Sequence, residues 1–202
     1  MGKIVLRLPL PPGSITTLWG NEAAFIKKYL EPTPGGYYTT GDAGFKDARG
    51  YIHIMSRMDD VINTAGHRIS TGQLEQVVGA HQLVHECAVV GIHDKIKGEC
   101  PFAVAIIKGN AQLNPSQLEQ LTLEIQELVK TDIGNFSKLE GVIFAKALPK
   151  TRSGKIMRGM IKKILNREKY KFPPTIEDGS VLKELEGLTS QYYAKKGKEA
   201  KM

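Results

Sequence analysis

The chain has 202 residues, of which 41% are hydrophobic and 24% charged, with a formal net charge of +7. The positive charge indicates an anionic partner, such as a nucleotide, a coenzyme, a nucleic acid or a membrane surface. The length fits one large globular domain, or one compact domain with a piece of another. The two cysteines, Cys87 and Cys100, are too few for a disulfide framework and lack metal-site spacing.

No apolar run approaches the roughly 18 residues that a membrane span needs, so we expect a soluble protein. The opening "MGKIVLRLPLPPG" alternates like a strand and lacks the pattern of a signal peptide. Because strand-like sequence follows Met1 at once, we expect the chain to be a fragment of a longer protein.

Residues 1–58 combine strand and turn patterns with little helix. The stretch "KIVLRLPL" predicts a strand, "NEAAFIKKYL" a short helix, and "KDARGYIHIM" a hairpin that turns at residues 48–50. This part is small and rich in proline, so it could hardly bury a hydrophobic core alone.

From Asp59 onward, helix and strand patterns alternate. The predicted elements are a helix after Ser70 or Thr71, strands at 86–92 and 102–108, a helix after Asn114-Pro115, a strand in "GVIFAKAL" and a helix in "IMRGMIKKIL". The predicted class is therefore α+β, a small mixed or antiparallel sheet flanked by helices and preceded by the β-rich residues 1–58.

Two early motifs contain candidate binding residues. In "YYTTGDAG", Asp42 lies in a glycine-flanked turn, where it would either accept hydrogen bonds from ribose hydroxyls or cap its own backbone. In "SRMDDVINTAGHRIS", Arg57 and Arg68 bracket Asp59-Asp60. These four are either a surface ion-pair cluster or phosphate and ribose contacts beside a hinge.

The third motif, "LPKTRSGKIMR", surrounds a Ser-Gly turn with positive charge. A flexible turn could carry Lys155 into a neighbouring site, where its ammonium would neutralise charge on a carboxylate and a phosphate. The alternatives are a solvated basic turn and a nucleic-acid patch. Because no aromatic residues are interleaved with these basic residues, nucleic-acid binding is the less favoured of the two functional interpretations.

In their order and spacing, "TTGDAG", "SRMDDVINTAGHRIS", "AVVGIHDKIKG" and "LPKTRSGKIMR" resemble consecutive motifs of the adenylate-forming acyl-CoA synthetases. The resemblance covers residues 1–185, and "GHRIS", "LPLPPG" and "TIEDGSVLKEL" look most like the acetyl- and propionyl-CoA synthetases. It implies that a carboxylate and ATP form an acyl-adenylate with Mg²⁺ present, and that coenzyme A then displaces AMP.

The resemblance also implies roles for single residues. Asp42 would bind the ribose hydroxyls, Arg57 the ribose or a phosphate, and Arg68 the phosphates. Asp59 would be the hinge about which a mobile lid domain rotates between half-reactions, and Lys155 would support adenylation.

Coenzyme A contacts are implied for three further positions. Ala65 and Gly66 match a stretch along the pantetheine arm, although related enzymes carry serine where Ala65 stands. Lys130 falls where relatives use arginine for the coenzyme's phosphate, and a lysine loses that bidentate geometry. His81 and Val84 lie where relatives bind a structural cation partly through backbone oxygens.

The implied domains are residues 1–58, the end of a large AMP-binding domain; 59–170, the lid; and 171–202, a partly disordered extension. A phosphate loop and the rest of the large N-terminal domain are missing, so we expect no adenylation by this chain alone. Partners would be a small carboxylate, ATP and coenzyme A, without nucleic acid or membrane, in the cytoplasm or the mitochondrial matrix. A truncated, non-catalytic lid-fold module and a nucleic-acid-binding domain remain alternatives.

Overall fold

The computed structural model describes residues 2–110 and 113–199. The chain divides into two compact units, Met1–Asp59 and Asp60–Met202. Each unit has its own sheet.

The first unit is a three-stranded antiparallel sheet with one short helix. Its elements are β1 (Gly2–Arg7), α1 (Glu22–Phe25, continued by a π-helical turn at Ile26–Leu30), β2 (Tyr37–Lys46) and β3 (Ile52–Arg57). The strand order is β1-β2-β3, so the long β2 is central.

Local hydrogen bonds explain the hairpin between β2 and β3. The Asp47 carboxylate accepts hydrogen bonds from the backbone of Arg49 and of Tyr51, each at 2.9 Å. Such a short polar side chain closes a turn by replacing backbone acceptors. Among the described residues of this unit, only Phe25 and Ala43 are buried hydrophobic side chains. The unit therefore has a very small core of its own, in line with the expectation from its size.

Within its described residues, the second unit contains a five-stranded mixed sheet and four α-helices. Its elements are β4 (Val61–Thr64), β5 (His67–Ser70), α2 (Thr71–Ala80), β6 (Val84–Asp94), β7 (Gly98–Ile107), α3 (Pro115–Asp132), β8 (Gly141–Phe144), α4 (Arg158–Leu165) and α5 (Ser180–Glu199). Short 3-10 turns lie at Met58–Asp60, Lys108–Asn110 and Asn135–Ser137. The order is β5-β4-β7-β6, and β8 pairs with β7 in parallel. The predicted α+β class is confirmed.

Both faces of this sheet are buried. Successive side chains of a strand point to opposite faces, so the residues of β6 divide between two buried clusters. Along β6, Ala88, Val90 and Ile92 belong to one buried cluster, which includes residues of α4 and α5. Cys87 and Val89 belong to the other, which includes residues of α2 and α3. Double-sided burial explains why "AVVGI" lacks polar alternation.

Helix starts follow the sequence in one case and depart from it in another. The side chains of Asn114 and Gln117 form a reciprocal capping box at α3, with Pro115 in the first turn. Ser70 precedes α2 as its N-cap, but its side chain makes no capping hydrogen bond.

Burial raises the pKa of the Cys87 thiol to about 12, so this cysteine is a packing residue rather than a nucleophile.

The sequence predicts that residues 171–202 form a partly disordered extension outside the lid, and much of this stretch packs against the second unit. Ile176, Leu182 and Leu185 lie in the same buried cluster as Phe102 of β7. Helix α5 is therefore part of the second unit's core. Residues 200–202 of the predicted extension lie outside the described part of the chain.

Candidate functional site

In the first unit, strand pairing places Asp42 and Arg57 opposite each other on β2 and β3. Arg57 Nη1 donates to Asp42 Oδ1 and to the carbonyl of Thr40, each at 3.3 Å. The backbone N–H of Asp42 donates to Thr40 Oγ1 at 3.1 Å. The side chain of Asp42 is 29% exposed and has one oxygen, Oδ2, without a hydrogen bond among the described residues. That oxygen can accept a hydrogen bond from a hydroxyl group.

Gly41 makes room for the Arg57 guanidinium. Its φ is +83°, and a Cβ built there would lie 2.8 Å from Arg57 Nη2. Any other residue at this position would be strained and would also push the guanidinium away. Arg57 Nε also lies 3.3 Å from Asp59 Oδ1, so the structure brings Asp42, Arg57 and Asp59 into one cluster. Asp59 is the last residue of the first unit.

In the second unit, the β4/β5 hairpin contains Ala65, Gly66 and Arg68. Thr64 pairs with His67, so Ala65 and Gly66 form a two-residue turn, and both have positive φ (48° and 84°). This geometry is that of a type I′ turn, whose twist matches paired strands. The Ala65 N–H donates to the carbonyl of Lys97 at 2.8 Å, which fixes the turn against the β6/β7 loop. Arg68 lies opposite Asn63 and is exposed.

Gly66 should be sensitive to substitution through its backbone alone. A Cβ at Gly66 would meet nothing within 4 Å, so only the positive φ opposes a side chain. We expect Gly66→Ala to lower the free energy of unfolding by about 1–2 kcal/mol. The matched control is Gly187→Ala, in α5 and also in open space, which should raise it by about 0.5–1 kcal/mol. Denaturant titration checks both values, and equal effects of the two substitutions would contradict the assignment of the turn.

Lys155 lies on a turn with several internal hydrogen bonds. The N–H of Thr151 donates to the Lys155 carbonyl at 2.9 Å, and the N–H of Gly154 donates to the Thr151 carbonyl at 2.8 Å. Thr151 Oγ1 accepts from the Lys155 N–H at 3.1 Å. The expectation of a flexible Ser-Gly turn therefore differs from the structure, since this turn is closed by hydrogen bonds. Its tip, Gly154, has φ +79°.

Two cations near Lys155 are engaged in ion pairs. Lys150 Nζ lies 2.8 Å from Glu86 Oε1. Arg158 donates through Nε and Nη2 to the two carboxylate oxygens of Glu75, at 2.8 and 2.7 Å. These bonds raise the pKa of Arg158. In the described part of the chain, the Lys155 ammonium has no such partner, and the residue is exposed.

Glu75 joins three elements of the second unit. Besides Arg158 at the start of α4, its Oε1 accepts the N–H of Val89 in β6 at 2.9 Å, while Glu75 itself belongs to α2. The Glu75 side chain is 15% exposed. A bidentate, largely buried pair of this kind fixes geometry strongly. It holds the chain three residues after Lys155.

Lys130 and His81 make local contacts that do not involve Lys155, Glu75 or Arg158. Lys130 Nζ contacts both carboxylate oxygens of Glu127, at 2.9 and 3.0 Å, in an exposed pair on α3. His81 is buried, with Nε2 3.1 Å from Glu124 Oε2 and with Nδ1 accepting the N–H of Leu83. Hydrogen bonds from Gln120 and then from His81 lower the pKa of Glu124.

At the predicted cation site of His81 and Val84, the two ring nitrogens of His81 that could bind a cation already take part in hydrogen bonds. Since both ring nitrogens of His81 are hydrogen-bonded, a cation would have to bind backbone oxygens, and the His81 carbonyl already accepts the Val84 N–H at 3.0 Å. Across residues 2–110 and 113–199, no group of three His, Cys, Asp or Glu side chains is placed to hold a metal. The site at His81 and Val84 stays a prediction.

Sequence reasoning missed Glu75 and the pairing role of Arg158. The two residues are 83 positions apart, so no local pattern links them. One available indication was the position of Glu75 between Leu74 and Val78, the buried face of α2.

Residues 73–155 match the family model described as the AMP-binding enzyme C-terminal domain. The chain belongs to the adenylate-forming, AMP-binding acyl-CoA synthetase family, and it corresponds to the C-terminal portion of its members. Several of its relatives are named as short-chain acyl-CoA synthetases or as acetyl-CoA synthetase. The mouse mitochondrial acyl-CoA synthetase short-chain family member 3 is 47% identical over 95% of this chain and 27% of its own length. Acetyl-coenzyme A synthetase of Helicobacter pylori is 40% identical over 86% of the chain and 27% of its own.

An uncharacterised protein of Pseudomonas aeruginosa is 46% identical over 92% of this chain and 29% of its own length. The chain thus spans between a quarter and a third of the curated relatives it matches.

Solved structures share the fold. The ATP-bound MatB of Rhodopseudomonas palustris matches 81% of this chain and 33% of its own, with a TM-score of 0.63 and 21% identity. The amide bond synthetase McbA of Marinactinospora thermotolerans matches 80% of this chain and 30% of its own, with a TM-score of 0.62 and 24% identity. No helix in the described part of the chain is long and apolar enough to cross a membrane.

Proposed function

We propose that this chain is the C-terminal part of an ATP-dependent short-chain acyl-CoA synthetase and that Lys155 is its adenylation lysine. The observation that supports this most strongly is the contrast among neighbouring cations. Lys150 and Arg158 are held in ion pairs, while Lys155 is exposed on a hydrogen-bonded turn that it shares with one other exposed cation, Arg152. A compact, unpaired ammonium on a defined turn can approach a separate anion.

In the proposed first half-reaction, a carboxylate oxygen of the acid attacks the α-phosphorus of ATP. A new O–P bond forms, the bond to the β-phosphate bridge breaks, and pyrophosphate leaves. Lys155 would bind the carboxylate and α-phosphate oxygens as their charges approach each other. Asp42 Oδ2 would accept the ribose hydroxyls, and Arg57 Nη2 would contact a ribose or phosphate oxygen. Arg68 would bind phosphate.

Magnesium would enter this reaction with the nucleotide. Mg²⁺ is usually held by one or two carboxylates together with substrate phosphates and water, so it needs no cage of protein ligands.

In the proposed second half-reaction, the thiol of coenzyme A loses its proton to solvent and its sulfur attacks the acyl carbon. A C–S bond forms, the bond between the acyl carbon and the phosphate oxygen breaks, and AMP leaves. Ala65 and Gly66 at the β4/β5 turn would lie along the pantetheine arm, and Lys130 would attract a coenzyme phosphate. For this Lys130 would have to leave Glu127, which is a small cost for an exposed pair. Asp59 would be the hinge between the two states.

The remaining assignments are part of the same proposal. Residues 1–58 would belong to the large AMP-binding domain, 59–170 to the lid, and 171–202 to a C-terminal extension whose helix α5 packs against the core of the lid. The acid would be short, as the names of the mouse and Helicobacter relatives support, and the compartment would be the cytoplasm or the mitochondrial matrix. Nucleic acid and membrane would not be partners.

A chimaera tests the proposal. In it this chain replaces the corresponding segment of the mouse relative, which amounts to 27% of that protein. We expect acyl-CoA formation from ATP, coenzyme A and acetate, propionate or butyrate, whereas the chain alone should form none. A chimaera that folds and binds ATP but makes no acyl-CoA from any of these acids would contradict the proposal. The unmodified mouse protein is the positive control.

A further inference from the structure

A segment outside the matched family model holds the Lys155 turn from one side. The family model ends at residue 155, whereas segment 175–177 lies twenty residues further along the chain. The N–H of Glu177 donates to the Lys150 carbonyl at 2.9 Å, and the N–H of Arg152 donates to the Thr175 carbonyl at 3.1 Å. Between these bonds, Thr151 and Ile176 pair as an antiparallel bridge.

Residues 150–152 are therefore the middle of a small three-stranded arrangement. On the side away from segment 175–177, Lys150 pairs with Ile156 and Thr151 bonds to Lys155. In an extended strand the N–H and C=O of one residue point to the same side, and those of the next residue point to the opposite side. This is why the Lys150 carbonyl and the Arg152 N–H bond to segment 175–177, whereas Thr151 bonds to the other neighbour. Displacing segment 175–177 would free one edge of the strand on which the Lys155 turn is built.

Segment 175–177 is itself anchored in the core. Ile176 is 6% exposed and belongs to the buried cluster that also contains Leu148 and Ile161. Thr175 and Glu177, on either side, are exposed. The segment thus combines one buried side chain with two backbone bonds to residues 150–152. Helix α5 follows at Ser180, with its N-terminal Val181 and Leu182 also buried.

We propose that segment 175–177 is a positioning element for Lys155, and this inference rests on the adenylation role proposed above. It carries no group to the reacting atoms. It fixes residues 150–152, and through them it fixes where the Lys155 ammonium lies when the site is formed. Positioning matters because a displacement of about 1 Å can cost about a hundredfold in rate.

Two substitutions at one residue separate the backbone bond from the side chain. Glu177→Pro removes the N–H that bonds Lys150, whereas Glu177→Ala keeps it. In the full chain, we expect Glu177→Pro to accelerate amide hydrogen exchange at Gly154 and Lys155 about tenfold or more, and Glu177→Ala to leave it unchanged. The amides of β6 and β7 serve as an internal control for global unfolding. Unchanged exchange at Gly154 and Lys155 in Glu177→Pro would overturn the inference.

The chimaera supplies the functional readout. Glu177→Pro should lower acid-dependent ATP–pyrophosphate exchange by about 10- to 100-fold through kcat, with little change in the KM for ATP. Formation of acyl-CoA from supplied acyl-adenylate should be unaffected. If the ATP–pyrophosphate exchange rate of Glu177→Pro equalled that of Glu177→Ala, the positioning role would be overturned. Lys155→Ala in the same assay tests the proposed function separately, since a fully active Lys155→Ala chimaera would refute the lysine's role whatever Glu177→Pro does.

Discussion

Replacing Lys155 with alanine is expected to lower acid-dependent ATP–pyrophosphate exchange in the chimaera by about 100- to 1000-fold. The ammonium is exposed and has no ion-pair partner in the described part of the chain, so its removal should disturb the fold very little. What is lost is the positive charge that offsets the approach of a carboxylate to a phosphate. Acyl-CoA formation from supplied acyl-adenylate should proceed at nearly the original rate, because that step does not bring those two anions together.

Arg152→Ala is the matched control for this substitution. Arg152 is an exposed cation on the same turn, and alanine there keeps the N–H that donates to the Thr175 carbonyl. We expect both half-reactions of Arg152→Ala to stay within about threefold of the unsubstituted chimaera, as for a solvated surface charge. Equal losses in Lys155→Ala and Arg152→Ala would mean that the turn contributes only general positive charge.

Replacing Glu75 with glutamine is expected to destabilise the second unit by about 3 kcal/mol. Glu75→Gln keeps the shape of the side chain but removes the charge that pairs with Arg158, whose side chain is only 29% exposed. It leaves a half-buried guanidinium without its counter-charge and weakens the bond to Val89. The effect is measured by denaturant unfolding of the full chain, with amide hydrogen exchange in β6 as the readout for the second unit.

The exposed pair on α3 provides the control for Glu75. Glu127→Gln removes the partner of Lys130, and both side chains are largely in water. It should change the free energy of unfolding by no more than about 0.5 kcal/mol. If Glu75→Gln were as mild as Glu127→Gln, then the pair of Glu75 and Arg158 would not hold α4 in place, and Lys155 would depend on other contacts.

Local chemistry in the sequence was enough to predict most of the second unit. Asn114 and Pro115 predicted the start of α3, and the structure confirms it with a complete capping box. The strand pattern at 86–92 became β6, which is two residues longer at each end. The pattern at 102–108 became β7, which begins four residues earlier and ends one residue earlier than predicted. These features could be read because caps and apolar runs act within a few residues.

The β4/β5 hairpin and α5 could not be read in the same way. Ala65 occupies a turn position where Asn, Asp or Gly is the usual residue, so the stretch showed no hairpin pattern. In α5, buried Leu182 and Leu185 are interspersed with lysine and glutamate, and a charged helix at a chain end resembles a frayed tail. Packing against the core decided the outcome.

The sequence motifs single out candidate site residues but not the contacts that support them. Asp42, Arg57 and Lys155 stand in recognisable motifs, and the first two do lie together. The bonds that hold the Lys155 turn come from Glu75 and from segment 175–177, far away in sequence. The backbone bonds among them depend on no side-chain type, so the sequence carries little trace of them.

The most direct test of the central claim is the distance from Lys155 Nζ to the nucleotide in the chimaera. A structure trapped with ATP, or with an unreactive acyl-adenylate analogue, measures it. We expect a trapped adenylation state in which Nζ lies within hydrogen-bonding distance, about 3 Å, of a carboxylate or α-phosphate oxygen. A Lys155 ammonium that stays far from the phosphate in every trapped state would contradict it.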